Sequence, residues 1–314
     1  MPNDHASRFH YRLGLNQPES SPTARRLFEM AAAIGRDTDG QLELEVFPES
    51  RLGPDPQMLA DMRSGALEFF VAGATLGDLA PTSALPLLPF AFEDSKAVFA
   101  ALDGALGDQI RRELARHGVH AFRHSLQNGF HHLTTSARPI ETAADLAGLK
   151  IRSPGGAIAR DFFAVFGAEA GYVPFNQMHN ALKERRFDGQ SDPLGVVLSL
   201  KLYEVQSHLS LTGHWWSGFT LLANADAWSA LPRNLQEVVE RNAETYALLQ
   251  RQDTEAINAG GAEELARRGM LVNVAQSASF RVGLGSFYAR WRERAGPAAW
   301  RLLETYSGAI GAGL

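Results

Sequence analysis

One arginine stands where a strand-like run ends. In GLKIRSPGG, residues 148 to 156, the run Leu149 to Arg152 is followed by Pro154 and two glycines, which end the strand. A side chain on the last residue of a strand points beyond the sheet edge, toward solvent or toward a ligand. A planar guanidinium binds a carboxylate through two parallel charge-assisted hydrogen bonds, which lysine cannot reproduce. Arg152 is therefore a candidate carboxylate-binding residue, and a solvated or salt-bridged arginine is the alternative.

A second candidate is FDGQSDPLG, residues 187 to 195, where a turn at Asp188 and Gly189 precedes an extended segment. Gln190 and Asp192 then present an amide and a carboxylate at fixed positions before Pro193. Such groups near a cation can orient a small hydroxylated or keto acid. The alternative is a loop that uses Asp, Gly, Ser and Pro only to form turns.

Two pairs of neighbouring ring residues are further candidates for a cleft. Neighbouring strand residues face opposite sides of a sheet, so His131 and His132 cannot share a metal ion, and at most one of them enters a cleft. Likewise, one of Trp215 and Trp216 can pack in the core while the other lines a cleft, unless both are core residues.

Other chemistry finds little support, and we expect neither a metal nor a cofactor. The sequence has no cysteine, which removes disulfides, thiolate metal sites and cysteine nucleophiles. It also has no GxSxG, no GxxxxGK[ST] and no GxGxxG after the first strand. No histidine pair has HxxxH spacing on a helix.

The composition is that of a globular protein without a polyanionic partner. The chain has 314 residues, 45% of them hydrophobic, with a net charge of −5 and a pI of about 6.1. Nucleic acid and anionic membranes are therefore excluded as partners. No stretch is apolar enough to span a membrane, and the first residues lack the apolar core of a secretory signal. The protein is thus cytosolic, or the sequence begins after a signal was removed.

The elements that must position these residues alternate between strand and helix. The first 100 residues predict a β-α-β-α-β series, which places the loops 16 to 21 and 72 to 77 at the carboxyl ends of parallel strands, where ligands bind. A second α/β series follows. The pattern predicts one helix over 95 to 117, and another from Pro232 to Arg268 with an interruption at Gly260 and Gly261. Two α/β halves with a cleft between them are expected.

Several of these stretches occur together in one known order. GLKIRSPGG, VPFNQMHNAL, FDGQSDPLG and KLYEVQSHLSLTGH, with GLNQPESSP and FPESRLG near the start and NGFHHLTTSARPI between, resemble the DctP-like solute-binding proteins of tripartite ATP-independent periplasmic (TRAP) transporters. The resemblance implies a two-lobed periplasmic-binding-protein-like α/β fold, with a ligand cleft between the lobes and a long helix spanning both. We expect lobe I to comprise 1–129 and 217–253, and lobe II 130–216 and 254–314.

The resemblance also implies a function without chemistry. A periplasmic receptor, expected to be a monomer, closes around a small organic acid and delivers it to TRAP membrane permease subunits. The arginine that binds the carboxylate in this family corresponds to Arg152. Asn16, Gly73 and Thr75 lie where the other lobe would reach the ligand.

Two departures from the family pattern bear on the ligand. His131 stands where the family often has a second arginine, and Asp192 where it usually has asparagine. The cleft is then less positive, which disfavours a dicarboxylate and favours a monocarboxylate. Phe175 with Trp215 or Trp216 would supply apolar walls and favour an apolar or aromatic tail, whereas Gln190, Asp192 and Asn16 favour a sugar acid. Asp192 could accept from a ligand hydroxyl, or pair with Arg152 and compete with the ligand.

Two other classes of protein remain open. Asp192 and His131 could form the acid/base pair of an enzyme acting on an organic acid. The same clamp could also serve a ligand sensor that reports its closure to a signalling partner.

Overall fold

A computed structural model describes residues 9–311, and these form a mixed α/β fold around one curled sheet. Its strands are β1 (Phe9–Gly14), β2 (Leu42–Phe47), β3 (Phe69–Ala72), β4 (Val119–Ala121), β5 (Leu126–Thr135), β6 (Lys150–Arg152), β7 (Glu169–Gly171), β8 (Gly189–Pro193), β9 (His208–Leu211), β10 (Trp216–Asn224) and β11 (Leu271–Val274). Its α-helices are α1 (Pro22–Asp37), α2 (Asp55–Ser64), α3 (Leu76–Leu79), α4 (Ser95–Leu102), α5 (Ala105–Ala115), α6 (Ala157–Val165), α7 (Met178–Lys183), α8 (Leu194–Ser199), α9 (Ala225–Ala230), α10 (Arg233–Arg267), α11 (Ser277–Arg281), α12 (Gly285–Ala295) and α13 (Pro297–Ser307).

Two long strands join the halves of the sheet, whose order is β2-β1-β3-β10-β5-β8-β6-β7. β10 pairs with β3 and β4 through its second half and with β5 through its first half, and β5 continues to β8 and β9. We call the part built on β1 to β4 the first lobe and the part built on β6 to β9 and β11 the second lobe. The expected two-lobed fold is confirmed.

The long helix is also confirmed, but the predicted interruption at Gly260 and Gly261 is wrong. α10 runs unbroken for 35 residues, about 52 Å, and packs on α1 in the first lobe and on α8 and β11 in the second. A Cβ on Gly261 would lie 2.7 Å from the Leu194 Cβ, so this glycine allows α8 to approach closely. Such packing outweighs the helix cost of glycine, about 1 kcal/mol per residue.

The predicted single helix over 95 to 117 is wrong as well, because it divides at Asp103 and Gly104 into α4 and α5. The Asp103 carboxylate accepts two hydrogen bonds from Arg251 on α10, at 2.7 and 2.8 Å. A Cβ on Gly104 would lie 2.5 Å from the Tyr306 hydroxyl oxygen. Contacts to distant elements therefore fix the break, which local periodicity does not register.

The core continues across the crossing strands, and three groups of buried apolar side chains cover the two sheet faces. The C-terminal helices contact both lobes: Tyr288 donates to the Pro89 carbonyl at 2.8 Å, and Arg294 pairs with Asp161 at 3.0 Å. The lobe boundaries expected from the sequence stay a prediction. Residues 1–8 of lobe I and 312–314 of lobe II lie outside the described residues. Within residues 9–311, no helix has the length and apolar character needed to cross a bilayer.

Candidate functional site

Arg152 is buried at the carboxyl end of β6, between the parallel neighbours β7 and β8. Only 1% of the residue is exposed, and its Nη1 donates to Asp192 Oδ2 at 2.7 Å. The guanidinium carbon lies 5.8 Å from the centroid of the Phe175 ring, within cation–π range. The arginine at the strand end therefore points into the protein and not into solvent.

The guanidinium keeps one edge without a strong partner. Arg152 Nε has no hydrogen-bond partner in the described part of the chain, and Nη2 has only the Val173 carbonyl at 3.4 Å. These two N–H groups lie side by side and form the fork that binds a carboxylate with two parallel bonds. Asp192 occupies Nη1, so it pairs with Arg152 without blocking that fork. Of the two roles open to Asp192, the structure shows the pair.

Asp192 is itself buried, with 1% of the residue exposed. Burial raises the pKa of its carboxyl to about 6, and the adjacent Arg152 charge opposes this rise only in part. The free energy needed to take two opposite charges out of water exceeds what an ion pair at the protein surface would contribute. Such a pair is thus weak support for stability and fits better with a binding role.

A second carboxylate approaches Arg152 from the first lobe. Asp55 is the first residue of α2 and is 5% exposed, and its Oδ2 accepts from Asn16 Nδ2 at 2.7 Å. Its Oδ1 is buried and has no partner among residues 9–311. Burial raises the Asp55 pKa to about 6 against the opposing charge of Arg152. Burial, aided by the Asp55 charge, also raises the pKa of Tyr172 to about 12. The charges of Asp55 and Arg152 therefore act on each other across the junction of the lobes.

The strand register decides which histidine shares the face of Arg152. Arg152 pairs with Gln190 on β8, and His132 on β5 pairs with Asp192, so their side chains point to one side of the sheet. His132 Nδ1 accepts from the Gly213 N–H at 3.1 Å, which leaves Nε2 as the N–H donor of the neutral ring. Burial lowers its pKa to about 4, so it stays neutral.

His131 lies on the opposite face, where it belongs to a buried chain of hydrogen bonds. Its Nδ1 is 3.0 Å from Ser191 Oγ and its Nε2 is 2.7 Å from Ser217 Oγ. The same Ser191 hydroxyl lies 2.9 Å from His214 Nε2, and His214 Nδ1 lies 2.7 Å from Thr212 Oγ1. Burial lowers the pKa of both histidines well below the usual value. A ligand-binding role for His131 stays a prediction, although both ring nitrogens already have partners.

The remaining predicted site residues fall into two groups. Trp215 and Trp216 are 2% and 3% exposed; the Trp215 ring packs on His131 and Phe162, and the Trp216 ring packs on Phe99. Gln190 and Thr75 are also buried, and their Oε1 and Oγ1 atoms have no partner in the described structure. Gly73 lies where a Cβ would press on the Phe219 ring at 3.2 Å. Both Trp rings make core contacts, and a role for either in lining the cleft stays a prediction, whereas Gln190 and Thr75 offer acceptor atoms without partners in the described part of the chain.

Direct contacts hold the two lobes together near Arg152. Helix α6 starts after Gly156, which has no side chain to cap it, and the Ala157 N–H donates instead to Asp78 Oδ1 of the first lobe at 3.1 Å. Asn176 Nδ2 donates across the same junction to the Glu49 carbonyl at 3.2 Å. The lobes are therefore closed over Arg152, and a residue of one lobe caps a helix of the other.

This cap yields a prediction for closure. Replacing Asp78 by alanine removes a helix cap worth about 1 kcal/mol that exists only when the lobes meet, so ligand affinity should fall about fivefold through faster dissociation. Dissociation rates measured by stopped-flow fluorescence would test this. Asp78→Asn keeps an acceptor oxygen and should bind nearly as tightly as the parent; equal dissociation rates for all three proteins would contradict a role in closure.

Comparison with known proteins agrees with this architecture. Residues 13–294 match the family described as bacterial extracellular solute-binding protein, family 7, also called DctP. The chain belongs to this family and is a solute-binding protein of the TRAP class, as the sequence motifs predict.

Individual relatives carry different ligands. The 2,3-diketo-L-gulonate-binding periplasmic protein YiaO of Escherichia coli is 34% identical over 215 residues, which are 68% of this chain and 65% of the relative. A TRAP solute-binding protein from a Polaromonas species, bound to D-erythronate, superposes with a TM-score of 0.89 at 27% identity and covers 96% of this chain and 99% of its own. One from Desulfovibrio salexigens, with orotic acid, gives 0.87 at 26% identity over 95% and 97%.

Sequence reasoning missed two residues of this site. Asp55 looks like an ordinary first-turn acid of a helix, and only the folded chain brings it to Arg152. His132 shares the face of Asp192 because of the pairing register between β5 and β8, which the sequence alone does not reveal. Residues 9–311 contain no cluster of three or more His, Cys, Asp or Glu side chains that could hold a metal ion.

Proposed function

We propose that this protein is an extracytoplasmic receptor for a small hydroxylated monocarboxylate, a sugar acid being the type. The observation that carries the proposal is the Nε/Nη2 edge of buried Arg152, where Nε has no partner among residues 9–311 and Nη2 has only the Val173 carbonyl at 3.4 Å. Asp192 of one lobe pairs with this arginine, and Asp55 of the other lies within reach of its charge. One cation can hold one carboxylate. The flanking acidic side chains then form hydrogen bonds with hydroxyl groups on the same molecule.

The charges of the site argue against a dicarboxylate, because a second ligand carboxylate would meet Asp55 or Asp192, and among residues 9–311 Arg152 is the cation whose charge acts on both. The Trp215 and Trp216 rings already pack on His131, Phe162 and Phe99, so they give little support for an apolar or aromatic tail. The named ligands of the relatives include hydroxylated acids and orotic acid, so these ligands alone do not decide which class of acid this protein binds. Unpartnered Gln190 Oε1 and Thr75 Oγ1 favour the hydroxylated class.

Delivery to a TRAP permease from the periplasm, without turnover, follows from family membership as part of the same proposal. An acid/base pair of Asp192 and His131 has less support, since β5 and β8 place these side chains on opposite faces of the sheet. Incubating the purified protein with bound acid should return the acid unchanged. Product formation at catalytic rates would favour the enzyme instead.

A ligand panel tests the class directly. We expect D-erythronate or a hexuronate to raise the unfolding temperature more than succinate or benzoate does. An acid at 100 times its Kd stabilises the folded state by about 2.7 kcal/mol. Matched acids without the hydroxyl groups should bind at least about tenfold more weakly, because the buried acceptors stay unpaired. Preferential stabilisation by succinate or benzoate would refute the proposal.

A further inference from the structure

The closed cleft has more acidic than basic groups before any ligand arrives. Arg152 is the cation whose field reaches both Asp192 and Asp55. The other titratable groups facing Asp55 or Asp192 are the phenol of Tyr172, after β7, and the ring of His132, on β5, and both are neutral near pH 7. A bound monocarboxylate would leave three carboxyl groups around one guanidinium, with little water to screen them.

The two aspartates are not equivalent in their contacts. Asp192 has a charged donor, Arg152 Nη1, at 2.7 Å, whereas Asp55 has only the neutral amide of Asn16. Asp55 Oδ1 is buried without a donor within the described residues, which is a costly environment for an ionised oxygen and a suitable one for an O–H. The N-terminus of α2 favours the ionised form, but by only about 0.3 to 1 kcal/mol.

We propose that the cleft binds its carboxylate ligand together with one proton, and that Asp55 holds this proton as a neutral acid whose Oδ1–H donates to the ligand. The inference rests on the proposed function and adds its charge balance. Arg152 binds the carboxylate, Asp192 stays ionised on Nη1, and Asp55 becomes a donor instead of a third anion. Because a carboxyl that is ionised in the open or empty cleft must gain a proton, affinity falls as pH rises above the free-state pKa of Asp55, about 6.

Calorimetry with D-erythronate, or with the acid that binds best in the panel, tests this. At pH 7.5, titrations in phosphate and in Tris should show the uptake of close to one proton per ligand bound. The Kd should rise by up to about tenfold per pH unit between pH 6.5 and 8. Equal observed enthalpies in the two buffers, with a flat Kd, would overturn the inference while leaving the receptor function intact.

Variants assign the proton to one residue. Asp55→Asn resembles the neutral acid in shape and supplies an N–H donor, so it should bind the acid at pH 8 at least as tightly as the parent, with no proton uptake. Asp192→Asn is the matched control and should keep both the uptake and the pH dependence. Uptake that survives in Asp55→Asn but disappears in Asp192→Asn would transfer the role to Asp192 and refute the assignment.

The protonation state of one carboxyl separates this inference from the proposed function. The ¹³C shift of the Asp55 carboxyl in the free protein should titrate near pH 6, above the ordinary aspartate value. In the ligand complex the shift should remain that of a protonated carboxyl at pH 7.5. If the carboxyl is ionised in the complex at that pH, Asp55 does not hold the proton and the inference fails, whatever acid the protein binds.

Discussion

Replacing Arg152 by alanine should abolish measurable binding of the acid. Truncating one partner of a buried, hydrogen-bonded charge pair costs about 2 to 5 kcal/mol, which corresponds to roughly 30- to 5,000-fold in Kd. The loss has two physical sources. The ligand carboxylate loses the Nε/Nη2 fork, and Asp192 loses its charge partner, so an ionised Asp192 repels the ligand. Isothermal titration at pH 7 measures the change.

Two further variants keep this result interpretable. Arg152→Lys retains a positive charge but not the planar fork, so its affinity should lie between those of the parent and of Arg152→Ala. Arg233→Ala removes an arginine whose side chain is 90% exposed and should leave Kd unchanged. Thermal unfolding shows whether each variant is folded. A folded Arg152→Ala protein that binds within twofold of the parent would remove Arg152 from the site.

The sequence predicts much of this fold because local signals and tertiary packing agree over most of the chain. The α/β alternation and the strand ending at Arg152 follow from periodicity and turn residues. The errors occur where distant contacts decide the outcome. Arg251 and Tyr306 fix the break at Asp103, and Leu194 packs against Gly261 inside an unbroken helix. Neither contact leaves a trace in a short window of sequence.

The candidate site likewise combines residues that short motifs predict with residues that distant contacts bring in. Arg152 pairs with Gln190 on the adjacent parallel strand, and Asp192 follows two residues later on the same face, so two short motifs suffice to bring them together. Asp55 comes from the other lobe, and the choice between His131 and His132 depends on a one-residue register. Contacts across lobes and between strand partners are thus the part that a single sequence could not supply.

The buried histidines should make the protein sensitive to acid. Burial lowers the pKa of His120 and His132 to about 4 and those of His131 and His214 well below the usual value. Below pH 6.5 these histidines therefore bind protons in the unfolded chain but not in the folded chain. Each such group costs about 1.4 kcal/mol of stability per pH unit until its folded-state pKa is reached.

The two cleft carboxyls act in the opposite direction. Because the pKa values of Asp55 and Asp192 are raised to about 6, the folded state binds their protons first as pH falls from 6 to 4, which restores stability. Four histidines against two carboxyls leave a net of about two protons, or about 2.7 kcal/mol per pH unit in this window. Urea unfolding between pH 7 and 4.5 should show this slope, and stability that stays flat to pH 4.5 would contradict it.

Single substitutions separate the two contributions. His120 stacks on Trp228 with ring centroids 4.3 Å apart, so His120→Phe keeps an aromatic ring there while removing one titrating group. The slope should then fall by about 1.4 kcal/mol per pH unit. Asp55→Asn removes an opposing group and should make the slope steeper by a similar amount. A shallower slope in Asp55→Asn would contradict the raised pKa of this carboxyl in the folded protein.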